Sequence, residues 1–318
     1  MARNTIGADI NEILLAYELA KGWKAFDDPA RAQKVLATRR SQASSEVYRA
    51  QEGRAKAMAA DVQAWMSANG WTAPIKKIWW TARPGDLQRG VEDALVGRSW
   101  QGPVQIATAG NPSDVLIQLD DDTLLGVSAK STKKKGVVAF KNPGIGAMDR
   151  ALGTDLRETY KNYIQAALPK IPIQLPPTQK ERKAYIRSLQ GAIFDQVEKA
   201  GYQALVQLRD RLLAHLQTMP EKQLRDHLVS VWLDAGSNYP YYIVATGYGT
   251  PKTGYGATIV DPIDNPKYKA LMSGDISLDK VGGHSIGVTA GDFNILKMRF
   301  KFESQKLASS LKLSGDPY

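Results

Sequence analysis

Residues 110–130 read GNPSDVLIQLDDDTLLGVSAK, and the fold is decided there. Asp114–Leu119 and Thr123–Lys130 are apolar runs of strand length. The acidic triplet Asp120-Asp121-Asp122 between them is a natural turn, so the stretch predicts an antiparallel hairpin. Strand side chains alternate between faces, which puts Ser128 and Lys130 on the same side. The hairpin carries Asp114 back towards both of them. A carboxylate and a lysine then meet at a sheet edge. Phosphodiester hydrolysis needs such a set. A carboxylate holds Mg²⁺, which lowers the pKa of its water and stabilises developing charge. A lysine orients or deprotonates the attacking water, or steadies that charge.

Outward from the hairpin, Ile75–Thr81 and Val104–Thr108 read as strands, and Gly136–Phe140 as a third strand after it. Asp86–Val96 is a short helix or loop. Upstream, residues 6–24 show Ile10, Ile13, Leu14 and Tyr17 at helical spacing. Asp27-Asp28-Pro29 opens the next helix, and residues 30–68 read as one long helix or a helical hairpin. Downstream, residues 145–167 are helical. The proline-rich LPKIPIQLPP (residues 168–177) is a stiff extended connector. Helices resume over 179–218 and 220–233. From Tyr239 the chain turns Gly-, Tyr- and Val-rich and reads as several strands, with residues 247–256 a hairpin loop carrying exposed tyrosines. Helices, a small sheet, helices and a second sheet give a mixed α/β (α+β) class rather than a regular βαβ array.

Composition narrows the chemistry. The 318 residues contain no cysteine and three histidines, His215, His227 and His284. Disulfides, thiol catalysis and zinc ribbons are excluded, and histidine triads are disfavoured. Lys plus Arg number 42 against 32 acidic residues, a net charge of +10 that favours a polyanionic partner, nucleic acid first. No run reaches the roughly 18 apolar residues of a membrane span, and the N-terminal stretch is too acidic for a secretory signal. With the absence of cysteine this fits the cytoplasm of a prokaryotic or phage-infected cell.

At residues 112–130 the sequence resembles the PD-(D/E)XK nuclease superfamily, the restriction-endonuclease-like group. Asp114 matches the first Asp of its pattern and Lys130 its lysine. Ser113 replaces the usual proline, with Pro112 one place earlier. Ser128 stands where the family usually has a second carboxylate, a Ser-X-Lys variant found in some restriction enzymes. The resemblance implies a restriction-endonuclease-like core sheet flanked by helices, with long N-terminal and middle helices and a C-terminal β-rich region. It covers mainly residues 5–165. It implies a Mg²⁺-dependent (alternatively Mn²⁺-dependent) nuclease acting on DNA, with a homodimer by analogy. Asp114 would bind metal, Lys130 would activate or orient water, and Ser128 would fill the vacant carboxylate position. The family often places a Glu on its first core helix, and Glu12 is the candidate for the displaced ligand. Asp149, Asp155 and Glu158 compete for that role.

Four regions are expected: an N-terminal helical segment (1–72), a nuclease-like core (73–168), a helical region (169–235) and a β-rich region (236–318). Lys133, Lys134, Lys135 and Lys141 lie beside the motif and would bind phosphates, or form a solvated turn. Ser131 and Thr132 are further phosphate contacts or turn caps. Arg39, Arg40, Arg49, Arg54 and Lys56 would track a phosphate backbone or line a solvated helix face. Lys297, Arg299 and Lys301, with Lys306 and Lys312, form either a second wall of a DNA groove or a lysine-protected edge strand. Trp79 and Trp80 are expected in the core, on opposite layers. Two other functions stay open: a catalytically inactive nucleic-acid-binding protein on the same fold, and a structural assembly protein with a basic surface.

Overall fold

A computed structural model describes residues 2–83, 85–96, 111–135, 143–232, 240–262, 264–304, 306–307 and 310–318. It divides into two compact units, Met1–Val138 with Leu228–Asn265, and Ala139–His227 with Pro266–Tyr318. The class is mixed α/β, as the order of elements predicts. The strands expected at 104–108 and 136–140, and Lys141, lie outside the described residues.

The first unit is built on a five-stranded sheet in the order β1-β2-β3-β4-β5. Strands β1 (Ile75–Trp80), β2 (Val115–Leu119) and β3 (Leu124–Thr132) form an antiparallel meander, in which β2 and β3 are the hairpin read from the sequence. Strand β4 (Tyr241–Thr250) then joins parallel to β3, and β5 (Gly254–Val260) returns antiparallel to β4. Helices α1 (Ala2–Leu19), α2 (Pro29–Gln42) and α3 (Ser45–Ala68) precede the sheet. The Asp28 carboxylate accepts from the Arg31 N–H, and the first-turn Pro29 lacks a donor that would be unpaired there anyway. The Ser44 hydroxyl accepts from the Val47 N–H and starts α3 afresh, so residues 30–68 form two helices rather than one.

One sheet face carries the main core. Ile10, Ile13 and Leu15 of α1 and Met58 and Val62 of α3 close over Val115, Ile117, Leu125, Val127, Ile243 and Ala245. Each large side chain buried here stabilises the fold by about 1.5–3 kcal/mol. The other face holds a smaller cluster of Trp79, Leu116 and Leu124 with Leu87 and Val91 of α4 (Asp86–Ala94). Trp79 and Trp80 are both buried and fall in opposite clusters, as expected of adjacent strand residues. A Cβ at Gly53 of α3 would sit 2.2 Å from the Tyr255 ring, so only glycine lets α3 approach β5 this closely.

The second unit pairs helices with a four-stranded antiparallel sheet, β6 (Ile276–Val281), β7 (Ser285–Ala290), β8 (Phe293–Phe302) and β9 (Leu311–Pro317), in that order. Its helices are α5 (Ile145–Leu152), α6 (Leu156–Ala167), α7 (Gln179–Ser188), α8 (Gly191–Thr218), α9 (Glu221–His227) and α10 (Pro266–Ser273). The proline-rich connector ends at a Thr178–Glu181 capping box that starts α7. No described helix is long and apolar enough to cross a membrane.

Three expectations are corrected. Residues 236–318 are not one β-rich region, because β4 and β5 complete the first sheet while β6–β9 form the second. Residues 168–177 are not extended throughout, because Leu168–Lys170 form a short 3-10 helix. The basic strand β8 is not an edge strand, because β7 and β9 flank it.

Candidate active site

Asp114 sits immediately before β2 and is fixed from two sides. Its N–H donates to Val127 O (2.9 Å), its C=O accepts from Thr81 N (2.9 Å), and its Oδ2 accepts from Ala129 N (2.8 Å). One step beyond the Val115–Val127 pair, the register sets Asp114 across from Ser128, with Lys130 two residues further on. Lys130 is half-buried. Ser128 is fully buried, and its Oγ has no hydrogen-bond partner among the described residues. Such an atom costs free energy unless something pairs with it.

Glu12 reaches the same neighbourhood from α1. It is buried, and its Oε2 accepts from Trp80 Nε1 at 3.1 Å. Burial pushes its carboxyl up to about 8, and the negative charge of Asp114 adds to the rise. The Trp80 hydrogen bond and the positive charge of Lys130 pull the other way. Glu12, Asp114 and Lys130 thus share one electrostatic neighbourhood, and the two carboxylates repel each other. They do not share one sheet face. Val127 and Ala129 pack on the α1/α3 side, so Ser128 and Lys130 point away from it. Glu12 approaches Asp114 at the end of the sheet, past Trp80.

The competing carboxylates belong to the second unit and are occupied there. Asp149 accepts from Thr154 Oγ1 and from the N–H groups of Leu156 and Arg157. Asp155 forms a two-pronged pair with Arg211, which holds its carboxyl below the ordinary range. Glu158 lies 3.7 Å from Lys161.

Sequence reasoning missed the support around Glu12. Asp9, one turn earlier on α1, is buried and accepts from Arg39 Nε (2.7 Å) and Arg83 Nη2 (2.9 Å). The Arg83 and Arg31 guanidinium groups lie 5.1 and 5.3 Å from the Trp80 ring centre. The i, i+3 spacing of Asp9 and Glu12 was the available signal. Beside Trp80 lies a cleft of about 240 Å³ lined by Phe26, Asp28, Arg31, Asp86 and Arg89 among others.

The basic residues separate into exposed and engaged groups. Lys133, Lys134 and Lys135 are exposed, and Lys135 Nζ lies 5.8 Å from the Tyr248 ring centre. Arg54 does not track phosphate: it is buried, donates twice to Gly249 O (3.0 and 2.8 Å) and bonds Ser131 Oγ. Ser131 in turn donates to Gln51 Oε1 at 2.7 Å, so its hydroxyl is used in the fold. Arg39 is held by Asp9, and Lys56 lies 3.6 Å from Glu52. In the second unit Arg299 pairs with Asp316, Lys306 with Glu198 and Lys312 with Glu303.

Among the described residues no group of three or more His or acidic side chains is placed to hold a metal. Two carboxylates, Asp114 and Glu12, lie within electrostatic reach of each other. That number fits Mg²⁺, which keeps several waters and takes one or two carboxylates plus substrate phosphate. Compared with protein-family models, with curated proteins and with solved structures, the chain matches none.

Proposed function

We propose that the first unit is the core of a Mg²⁺-dependent deoxyribonuclease of the PD-(D/E)XK type. The observation that carries this is that Glu12, bonded to Trp80 beside the start of β2, feels the charges of both Asp114 and Lys130. Supporting it, the meander β1-β2-β3 puts an Asp at a strand start and a Lys on the adjoining strand, as the resemblance implies. Asp114 and Glu12 would hold Mg²⁺ (or Mn²⁺), which lowers the pKa of water and neutralises phosphate charge.

The chain's own groups have distinct tasks. The Ala129 N–H fixes the Asp114 carboxylate, so little reorganisation is needed when charge changes nearby. Trp80 Nε1 orients Glu12. A raised carboxyl pKa is what a divalent cation would relieve, since the cation favours the charged form. Lys130 orients the attacking water or compensates the growing negative charge on phosphate. Ser128 Oγ, buried and unpaired by protein, fits a hydrogen bond to an ordered water at the position where the family carries a carboxylate. Lys133, Lys134 and Lys135 extend the positive field towards the DNA backbone.

The test is cleavage of supercoiled, linear and single-stranded DNA in Mg²⁺ or EDTA. Wild type should cut only with the metal. Asp114→Ala, Lys130→Ala and Glu12→Gln should each lose on the order of a hundredfold or more in rate. A protein that binds DNA but cuts nothing in Mg²⁺ or Mn²⁺ would instead be the inactive binding protein, a reading favoured by Ser128 at the carboxylate position. Cutting both strands needs two such sites, so a homodimer on DNA is part of the proposal. Sedimentation with and without duplex checks it.

A further inference from the structure

The sheet face that carries Lys130 packs Trp79, Leu116 and Leu124 on α4 at one end, and past Lys130 it changes character. Beyond Lys130 the register brings together Lys130, Thr246 and Thr258 in one row, and Thr132, Tyr248 and Gly256 in the next. Thr250 and Gly254 end the surface. Their neighbours on the other face are Ala245 in the core, Gly247 against Arg54 and Met58, and Tyr255 on Gly53. A sheet with one apolar and one polar face ordinarily turns the polar one to water or to a polar ligand. This end of the face is mostly hydroxyls and glycine, and every residue of these rows is partly exposed.

Tyr248 is the one aromatic residue of these rows. A Cβ on Gly256 would lie 2.8 Å from the Tyr248 Cζ and 3.0 Å from its Cε2, so the ring lies close over the bare glycine backbone. Lys135, from the exposed lysine run, stands 5.8 Å from the ring centre. Tyr248 lies one strand across and two residues along from Lys130. With a rise of about 3.3 Å per residue and a strand spacing of about 4.8 Å, their Cα atoms are roughly 8 Å apart. Aromatic rings beside cations are how proteins hold unpaired nucleotides, because every base has a face to stack.

We propose that Tyr248 is a stacking platform for an unpaired base, with Lys135 taking the adjoining phosphate. The preferred ligand is then a DNA strand that is single-stranded beside the Lys130 site. The inference rests on the nuclease reading for the meaning of that site, but binding tests it separately from cleavage.

The experiment measures anisotropy of labelled single-stranded and duplex oligonucleotides with the full chain in EDTA, and cleavage in Mg²⁺ alongside. Tyr248→Leu keeps apolar cover over Gly256 but removes the ring, and Tyr248→Trp keeps a ring; melting curves confirm that both fold. The expected result is single-strand affinity about 5- to 100-fold lower in Tyr248→Leu, from the cost of losing one stacked base. Tyr248→Trp should stay near wild type, duplex affinity should move less than threefold, and Lys135→Gln should weaken binding and flatten its salt dependence. Unchanged single-strand affinity in Tyr248→Leu, equal losses on both DNA forms, or no DNA binding by wild type would overturn the platform. Ring-dependent binding without any Mg²⁺-dependent cleavage would retain the platform and reject the nuclease.

Discussion

The indole Nε1 of Trp80 donates to Glu12 Oε2 across the end of the first sheet, joining the first helix to the strand that flanks Asp114. Two arginines lie over the same indole, and one of them, Arg83, also holds Asp9 on α1. The aromatic ring that fills the core is therefore also the group that aims a carboxylate. Replacing Trp80 by Phe should keep most of the packing and lose the hydrogen bond. We expect a loss of about 1–3 kcal/mol where Glu12 is ionised, read from urea unfolding above pH 8. A loss that persists unchanged in Trp80→Phe/Glu12→Gln would assign it to packing alone.

Glu12 makes stability depend on pH. Its carboxyl is at about 8 in the folded protein against an ordinary 4.5. The folded chain therefore holds a proton through that interval which the unfolded chain has released. Stability from this group is full below 4.5 and is lost as pH rises through 8. In EDTA, the wild type should lose on the order of a few kcal/mol across that window relative to Glu12→Gln. Mg²⁺ should offset the loss, and its affinity should rise with pH, because metal and proton compete for the same oxygens. Parallel pH profiles for the two proteins would place Glu12 outside this linkage.

Ser128 tests the vacant carboxylate position. Ser128→Ala removes a buried hydroxyl that has no partner among the described residues, so stability in EDTA should stay level or rise by about 1 kcal/mol. A loss above about 2 kcal/mol in thermal unfolding would mean that the hydroxyl is bonded in solution.

Gly53 tests how α3 meets β5. Gly53→Ala gains helix propensity of about 1 kcal/mol but drives a methyl into the Tyr255 ring. We expect a net loss of about 1–3 kcal/mol, as for other overpacked cores. A double-mutant cycle with Tyr255→Ala should recover most of it.

The sequence alone determined what local chemistry controls. The alternation and acidic turn of residues 114–130 specify the hairpin, because a one-residue slip would turn every apolar side chain to the wrong face. Asp28 and Pro29 mark a helix start that the structure reproduces, and the helix expected from Gln179 begins there. Asp114 across from Ser128 followed from the same register. Ser44 as the restart of a second helix was also legible, but a hydroxyl in an alanine-rich run is ambiguous without its Val47 partner.

Tertiary structure decided the rest, because those contacts join residues far apart in the chain. No local pattern says that β4, more than a hundred residues after β3, pairs parallel to it, so a single C-terminal sheet was the natural expectation and was wrong. Arg54 looked like a surface cation. It is buried because Gly249, 195 residues away, presents a carbonyl that needs its donors. Which carboxylate meets Asp114 was equally a matter of packing: Glu12 approaches it past Trp80, while Asp149 is used to cap a turn in the other unit. The residue types and their spacing set which chemistry was available. Burial and long-range pairing set which of those residues are held together and which are spent on the fold.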